Sequence, residues 1–447
     1  MDLTADVLTR VLAVCCGEPD GPEESVLMVR RDQPTFAPTL FAAWRNEGSP
    51  LNPALRYELE VQTARIRRYR ELAADIAARV PGLTPLKGLE VADLYPADST
   101  RYMNDLDYTA HEPRLWRLVQ ELVGDGWELN TGTFWVFDGR LQVLVCLRMP
   151  HEDPYCLPYG VEITSYVTMG NLAGVAPVME LPPRWRDPVV KNLLMLLFER
   201  FEQPYRARDL VDAALMLHAL RGHTALWHEI DRLGLWPEFT ELAGLLERAE
   251  LGPVPAHPRP RALSLAGSRA RRGARRLTGL RRPADAAVRH LQQRLVFDHL
   301  SRPERLLWSA AERRLSTVRA LRAGLLCFGL PVPGVRPEVA AATVRQRDGL
   351  TFVDTPVARF LLTAGDDVDQ DAVDALAADA DPAPDAGVDE ALAADAAPDA
   401  GLVAAPAAPP DAAPDVARGA APDAAPNVAS VAPSATDATF VAGTGTR

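Results

Sequence analysis

The chain contains very little lysine: Lys87 and Lys191 are its only two lysines, and arginine supplies every other side chain counted as positively charged at pH 7. It also lacks a run of about 18 apolar residues, so no segment is expected to span a membrane. Its five cysteines have neither the spacing of metal ligands nor that of a disulfide framework, and we expect them to be reduced and mostly buried. These absences exclude a disulfide-stabilised scaffold and a cysteine-based zinc site.

The N-terminus does not have the pattern of a signal peptide. Its apolar stretch, Val7 to Cys16, follows Asp2 and Asp6 and is interrupted by Arg10. We therefore expect a cytoplasmic protein.

The net charge of −12 is distributed unevenly along a chain of 447 residues. Arginine is concentrated in residues 259–322, whereas from about Gly365 the chain is an Ala-Asp-Pro tract with almost no large apolar residues. Such a tract cannot bury enough surface to offset its ordering entropy, so we predict that residues 365–447 form a disordered tail.

The arginine-rich segment 259–322 has three interpretations. It could follow the backbone of an RNA partner, or it could pair with the acidic tail of the same chain. It could also form solvated helix faces and linkers. Few aromatic residues lie among the arginines, which favours the last interpretation over the RNA contact.

Hydrophobic periodicity divides the rest of the chain into three regions. Residues 1–80 read as helical, since apolar residues from Leu55 to Ile76 recur at steps of three, four and seven. Residues 81–185 combine short helices with strand-like runs, and Asp138-Gly139 indicates a hairpin. Residues 186–330 return to a helical pattern. We predict an α+β fold: a small mixed sheet flanked by helices, with a helical C-terminal region and a disordered tail.

Asp105 and Asp107 are the most informative residues of the predicted core. They are one residue apart in a strand-like segment, so their side chains point to the same face. Such carboxylates repel each other, and a divalent cation is the usual partner for the pair. Lys87 and Gly88 precede them, and a compact ammonium beside a glycine suits a contact to phosphate. The alternative is a solvated turn, which is what an isolated Asp-x-Asp motif usually forms.

The spacing of these residues resembles that of the uncharacterised nucleotidyltransferase family in the polymerase-beta-like superfamily and, more distantly, the abortive-infection nucleotidyltransferases. The resemblance spans roughly Leu55 to Leu220. It is carried by Leu86-Lys87-Gly88, Tyr95-Pro96, Arg101-x-Met103-x-Asp105-Leu106-Asp107, Gly126-Trp127-Glu128-Leu129 and the segment Arg206 to Asp212.

The resemblance implies that Asp105 and Asp107 bind Mg²⁺, which bridges nucleotide phosphates, and that a third carboxylate lies on a neighbouring strand. Glu162 is our candidate for this third ligand, because it lies on a strand-like run where the family carries a Glu-Leu-His-like motif. Ile163 and Thr164 replace the leucine and histidine here. Glu162 would then activate the nucleophile or only ligate the metal; the alternative is a surface position on an edge strand.

The resemblance also implies that Lys87 and Arg101 neutralise phosphate oxygens, while Gly88 allows the backbone to approach them. Asp209 and Asp212 lie one helical turn apart among apolar residues, with arginines nearby. We interpret them as structural ion pairs that pack the helical region onto the core.

The expected function is that of a Mg²⁺-dependent nucleotidyltransferase that transfers a nucleoside monophosphate from an NTP to a small molecule, a protein or an RNA. Two alternatives remain open. One is a catalytically silent binding or scaffold protein, which the altered motif after Glu162 favours. The other is a toxin-like nucleotidyltransferase that modifies tRNA.

Overall fold

A computed structural model of the chain describes residues 1–170, 174–220, 222, 224–255, 261–278, 288, 291–292, 301–312, 315–347 and 349–364. The predicted tail, 365–447, lies outside the described residues, as does part of the arginine-rich segment.

The described residues form thirteen α-helices and nine β-strands. The helices are α1 (Ala5–Cys16), α2 (Pro22–Asp32), α3 (Ala37–Asn46), α4 (Pro53–Arg79), α5 (Leu89–Ala92), α6 (Glu112–Gly124), α7 (Pro188–Glu199), α8 (Ala207–Ala219), α9 (Thr224–Leu233), α10 (Trp236–Arg248), α11 (Arg261–Thr278), α12 (Arg302–Glu312) and α13 (Thr317–Arg322). The strands are β1 (Thr84–Pro85), β2 (Asp105–Thr109), β3 (Glu128–Phe137), β4 (Arg140–Met149), β5 (Tyr159–Thr164), β6 (Cys327–Pro331), β7 (Thr343–Arg347), β8 (Leu350–Asp354) and β9 (Arg359–Thr363).

Local sequence signals account for several of these boundaries. The side chain of Asn52 caps α4 by accepting a hydrogen bond from the Leu55 amide at 3.0 Å, and Pro53 occupies the first turn. The predicted hairpin is confirmed between β3 and β4. Asp138 and Gly139 there have φ angles of 51° and 70°, as a tight turn between twisted strands requires.

All nine strands join one mixed sheet in the order β1-β2-β5-β4-β3-β6-β9-β8-β7. Only β2 and β5 pair in parallel within the described residues; the other neighbours are antiparallel. The predicted α+β class is confirmed at this level, but the sheet is not small. The prediction of a helical region over 186–330 was wrong at its end, because β6 lies there and leads into three further strands.

One face of the sheet is apolar and packs against α4, α6 and α13. Successive residues of a strand point to opposite faces, so the buried Leu106, Val161 and Ile163 leave their neighbours Asp105, Asp107 and Glu162 on the other face. A second core joins α1 to α3 with α7 to α10. The sequence alternation therefore places the carboxylates on the less apolar face, near α7.

No helix among the described residues has the length and apolar character needed to cross a bilayer. The five cysteines are free, but only Cys146 and Cys327 are buried. The expectation that most cysteines are buried was therefore wrong.

Candidate functional site

The predicted carboxylates lie in two cross-strand rows on one face of β2, β5 and β4. The first row is Asp105–Gly160–Arg148, and the second is Asp107–Glu162–Cys146. We call these six residues the site face. Asp107 and Glu162 are direct register partners in the parallel pair of β2 and β5, so the third predicted carboxylate lies beside the first two.

Helix α4 fixes the first row through Tyr69. The buried Tyr69 hydroxyl accepts a hydrogen bond from the Gly160 amide at 2.8 Å and donates one to the carbonyl oxygen of Asn104. Asn104 directly precedes Asp105, so a single side chain joins the starts of β2 and β5. A residue from outside the sheet thus reinforces the parallel pairing of the two strands.

Asp105 has a carboxylate that is buried without a hydrogen-bond partner in the described part of the chain. Its side chain is only 2% exposed, and neither carboxylate oxygen has a hydrogen-bond partner among the described residues. Burial and the neighbouring carboxylates of Asp107 and Glu162 raise the pKa of Asp105 well above its usual value, and Lys87 and Arg148 only partly offset this. A buried carboxylate without a partner is costly, so this position favours either a proton or a bound cation.

The second row places two carboxylates and a thiol together. Cys146 Sγ donates to Glu162 Oε1 over 3.5 Å. Burial and the charge of Asp107 raise the pKa of Glu162, while Arg148 and Lys87 act in the opposite direction. Burial also raises the pKa of Asp107, with Lys87 as the main opposing charge. Burial and nearby carboxylates therefore disfavour ionisation of all three carboxyl groups of the site face at once.

Lys87 lies between this acidic face and helix α7. Its Nζ forms an ion pair with Glu199 at 2.9 Å. Burial disfavours the charge on Lys87, but the carboxylates of Glu199, Asp107 and Glu202 outweigh it and raise the pKa of Lys87. Burial raises the pKa of Glu202 to about 7, even though Lys87 acts against it. In this structure, Lys87 acts as a counter-cation to these three carboxylates at once.

Gly88 follows Lys87 in the turn before α5. It has φ of 83° and ψ of −92°, a conformation that residues with a side chain rarely adopt. The Leu86 amide donates to the carbonyl oxygen of Asp107 at 3.0 Å, which fixes the turn against β2. Lys87 and Gly88 are thus held next to the carboxylates, as their proposed role requires.

Arg101, which was expected to contact phosphate, is buried. Its guanidinium donates two hydrogen bonds to Asp212, from Nε at 2.8 Å and from Nη2 at 2.7 Å, and both side chains are buried. The Tyr95 hydroxyl donates to the same carboxylate at 2.7 Å. Asp209 pairs with Arg208 at 3.4 Å. These contacts agree with the ion-pair interpretation of Asp209 and Asp212, and they favour a structural role for Arg101 over direct contact with a nucleotide.

Lys87 and Glu199 line one cavity of about 20 Å³ together with Arg101 and Asp212. This volume accommodates about one water molecule. The two ion pairs are therefore neighbours, and the charge of Arg101 also opposes the burial that raises the pKa of Asp107. Arg101 contributes to the electrostatics of the site without lying on its surface.

The carboxylate oxygens of the site face are the type of ligand that Mg²⁺ prefers, and the two unpartnered oxygens of Asp105 are available for it. Among the described residues, however, no three His, Cys, Asp or Glu side chains are grouped closely enough to hold a metal ion by themselves. Mg²⁺ commonly takes only one or two protein carboxylates and completes its shell with water and substrate phosphates. Asp105 and Asp107 therefore supply the type of ligand that a magnesium site of this open kind uses.

The structure thus brings together Lys87, Gly88, Asp105, Asp107 and Glu162. Four further residues adjoin them and were missed by the sequence analysis: Cys146, Arg148, Glu199 and Glu202. Alternation along β4 places Cys146 and Arg148 on one face, but the sequence does not reveal which strand β4 pairs with.

Two arginines in the described part of the arginine-rich segment have acidic partners. In α11, Arg272 donates to the Gly234 carbonyl oxygen at 2.8 Å and forms an ion pair with Glu238, while Arg271 lies 3.7 Å from Asp231. These two arginines attach α11 to the helices before it. Only part of residues 259–322 is described, and an RNA contact through this segment stays a prediction.

No protein-family model, no curated protein and no solved structure matches this chain.

Proposed function

We propose that the protein is a Mg²⁺-dependent nucleotidyltransferase that transfers a nucleoside monophosphate from an NTP to a hydroxyl or phosphate group of an acceptor. One observation carries the proposal: Asp105, Asp107 and Glu162 share one face of two adjacent strands, and both carboxylate oxygens of Asp105 are buried without a partner. When bound there, Mg²⁺ would neutralise phosphate charge and orient the triphosphate.

The chain's own residues would divide the remaining work. Asp105 and Asp107 would hold the metal, and the Lys87 ammonium would face a phosphate oxygen beside Gly88. Glu162 would accept the proton of an acceptor hydroxyl as its oxygen forms a bond to the α-phosphorus. The bond between the α-phosphorus and the bridging oxygen then breaks, and pyrophosphate leaves.

A second candidate function is a catalytically silent binding protein, and the Lys87–Glu199 ion pair favours it. An internal ammonium that pairs with Glu199 and also faces Asp107 supplies part of the positive charge that a metal would otherwise provide. In such a protein the site face would be a stable structural element and would not need Mg²⁺.

Turnover with differently labelled nucleotides separates the two candidates. Purified protein, Mg²⁺ and each NTP labelled at the α- or γ-phosphate are incubated with a small-molecule and RNA extract. We expect the α-label to enter an acceptor while the γ-label is released in pyrophosphate. Asp107→Asn and Glu162→Gln should each lower the rate at least about 100-fold, as expected when a group that stabilises the transition state is lost.

Asp138→Asn is the matched control, because Asp138 lies exposed in the β3–β4 turn away from the site face. Transfer of the γ-label would indicate phosphoryl transfer and contradict the proposal. A complete lack of turnover with all four NTPs would favour the binding protein, and a Glu162→Gln variant with the wild-type rate would remove Glu162 from the mechanism.

A further inference from the structure

The first row of the site face contains Arg148, a basic residue for which the structure describes no hydrogen bond or ion pair. Arg148 lies on β4 opposite Gly160 of β5, which in turn lies opposite Asp105 of β2. Gly160 thus lies between the guanidinium of Arg148 and the carboxylate of Asp105 in this row. Because the middle position has no side chain, the guanidinium can extend over β5 toward Asp105.

The environment of Gly160 shows how closely the guanidinium approaches. A Cβ at position 160 would collide with Arg148 Nη1, and it would lie only 3.1 Å from both the Asp105 Cβ and the Asn104 carbonyl oxygen. Arg148 thus occupies the space that any other residue at position 160 would fill. Its positive charge also opposes the burial that raises the pKa values of Asp105 and Glu162.

The hydrogen-bonding capacity of Arg148 is nevertheless unused. The side chain is partly exposed and makes no hydrogen bond or ion pair with any residue that the structure describes. Arg101 differs in both respects, since it is buried and its fork is satisfied by Asp212. A guanidinium presents donors in a planar fork that matches two phosphate oxygens, so an unpaired one beside a metal-binding carboxylate is suited to an anion.

We infer that Arg148, and not Arg101, is the guanidinium that contacts a phosphate group of the metal-bound nucleotide. This inference rests on the proposed function and deepens it. A nucleotide held through Asp105 would have Lys87 and Arg148 as its two cationic contacts, one from the loop before α5 and the other from the end of β4.

The test compares binding of three probes by the full-length protein: Mg²⁺ alone, Mg²⁺ with inorganic triphosphate, and Mg-ATP. Arg148→Gln should weaken binding of the triphosphate and of Mg-ATP by about tenfold to a hundredfold. It should leave binding of Mg²⁺ alone unchanged or stronger, because a nearby positive charge is removed. Arg148→Lys should recover part of the loss, since it restores the charge but not the planar fork.

Arg140→Gln is the matched control, because Arg140 lies exposed at the opposite end of the same strand. It should bind all three probes as the wild type does. Gly160→Ala offers a second test that keeps the charges of the chain, since the new methyl group displaces the guanidinium and also crowds Asp105 and the Asn104 carbonyl oxygen. It should also weaken triphosphate binding.

Two results would overturn the assignment of Arg148 alone: wild-type affinity of Arg148→Gln for Mg-ATP, or an equal loss of Mg²⁺ binding, which would indicate a structural role. If the wild-type protein itself binds neither Mg-ATP nor triphosphate, the proposed function fails and this inference fails with it.

Discussion

The buried pair of Arg101 and Asp212 connects the β-sheet region to helix α8. Burial disfavours the charge on Asp212, but the guanidinium groups of Arg101 and Arg208 and the Tyr95 hydroxyl outweigh it and lower the pKa of Asp212. Removing one member of such a pair leaves the other charge buried without a partner, which is more costly than losing the attraction alone.

Asp212→Asn should therefore lower the free energy of unfolding by about 3–5 kcal/mol at neutral pH. A carboxyl group whose pKa is lower in the folded state contributes stability above its unfolded pKa of about 4, and this contribution is lost as the pH falls through the folded pKa. The difference between wild type and variant should therefore shrink in acid. Chemical denaturation at several pH values measures it.

The control for this prediction is Glu241→Gln, which removes a solvent-exposed partner of Arg200. Exposed pairs contribute at most about 1 kcal/mol. If Asp212→Asn costs no more than this control, the pair does not anchor α8.

The neighbours of a single residue could be predicted from the sequence only when they lie close to it along the chain. The common face of Asp105 and Asp107 follows from a spacing of two within one strand, and it was predicted. The partner of Arg101 lies 111 positions later in the chain, and only the fold reveals that the pair forms. Arg148 was missed for the same reason, because its neighbours are set by the register of β4 on β5 and of β5 on β2.

Among the larger elements, those with strong local signals were predicted well. Helix α4 has a capping residue, a proline in its first turn and a regular apolar stripe, and the β3–β4 hairpin has an Asp-Gly turn. Strands β7 and β8 also flank an Asp-Gly dipeptide, Asp348-Gly349, so their hairpin could have been predicted. No element was predicted between residues 331 and 364, where β7, β8 and β9 lie.

The pairing of β3 with β6 joins the two halves of the sheet, and it depends on two glycines. Gly132 and Gly329 are register partners, and the rings of Phe134 and Phe360 lie over them. The two rings meet edge to face, with centroids 5.3 Å apart. Side chains at the glycine positions would force these rings away. The β3–β6 pairing, which we call the seam, therefore requires glycine at both positions to leave room for the rings.

Gly132→Ala should consequently destabilise the protein by about 1–3 kcal/mol, the usual cost of overpacking a core. A new Cβ there would lie 2.7 Å from the Phe134 ring and 3.2 Å from the Phe360 ring. Thermal and chemical denaturation of the variant measure the effect.

Gly124→Ala serves as the comparison, because Gly124 ends α6 and a Cβ there meets nothing within 4 Å. Alanine is the better helix former, so this change should be neutral or stabilising by up to about 1 kcal/mol. Equal stabilities of the two variants would contradict the packing account of the seam.

For the molecule as a whole, the acidic net charge is a property of the C-terminal tract. Residues 365–447 contain sixteen acidic and two basic residues, so residues 1–364 carry a net charge of +2 within a total of −12. The part of the chain that holds the site face is therefore close to neutral. The overall acidity of the protein is then no argument against a polyanionic substrate such as a nucleoside triphosphate.

The most direct test of the site is equilibrium binding of labelled ATP, CTP, GTP and UTP, with and without Mg²⁺, to the wild type and to Asp105→Asn. Asparagine has nearly the same shape and removes a buried charge that lacks a partner, so the variant should fold at least as stably as the wild type. We predict saturable, Mg²⁺-dependent binding of at least one nucleotide by the wild type and its loss in Asp105→Asn. Equal binding by both proteins, or none by the wild type, would contradict the assignment of the site.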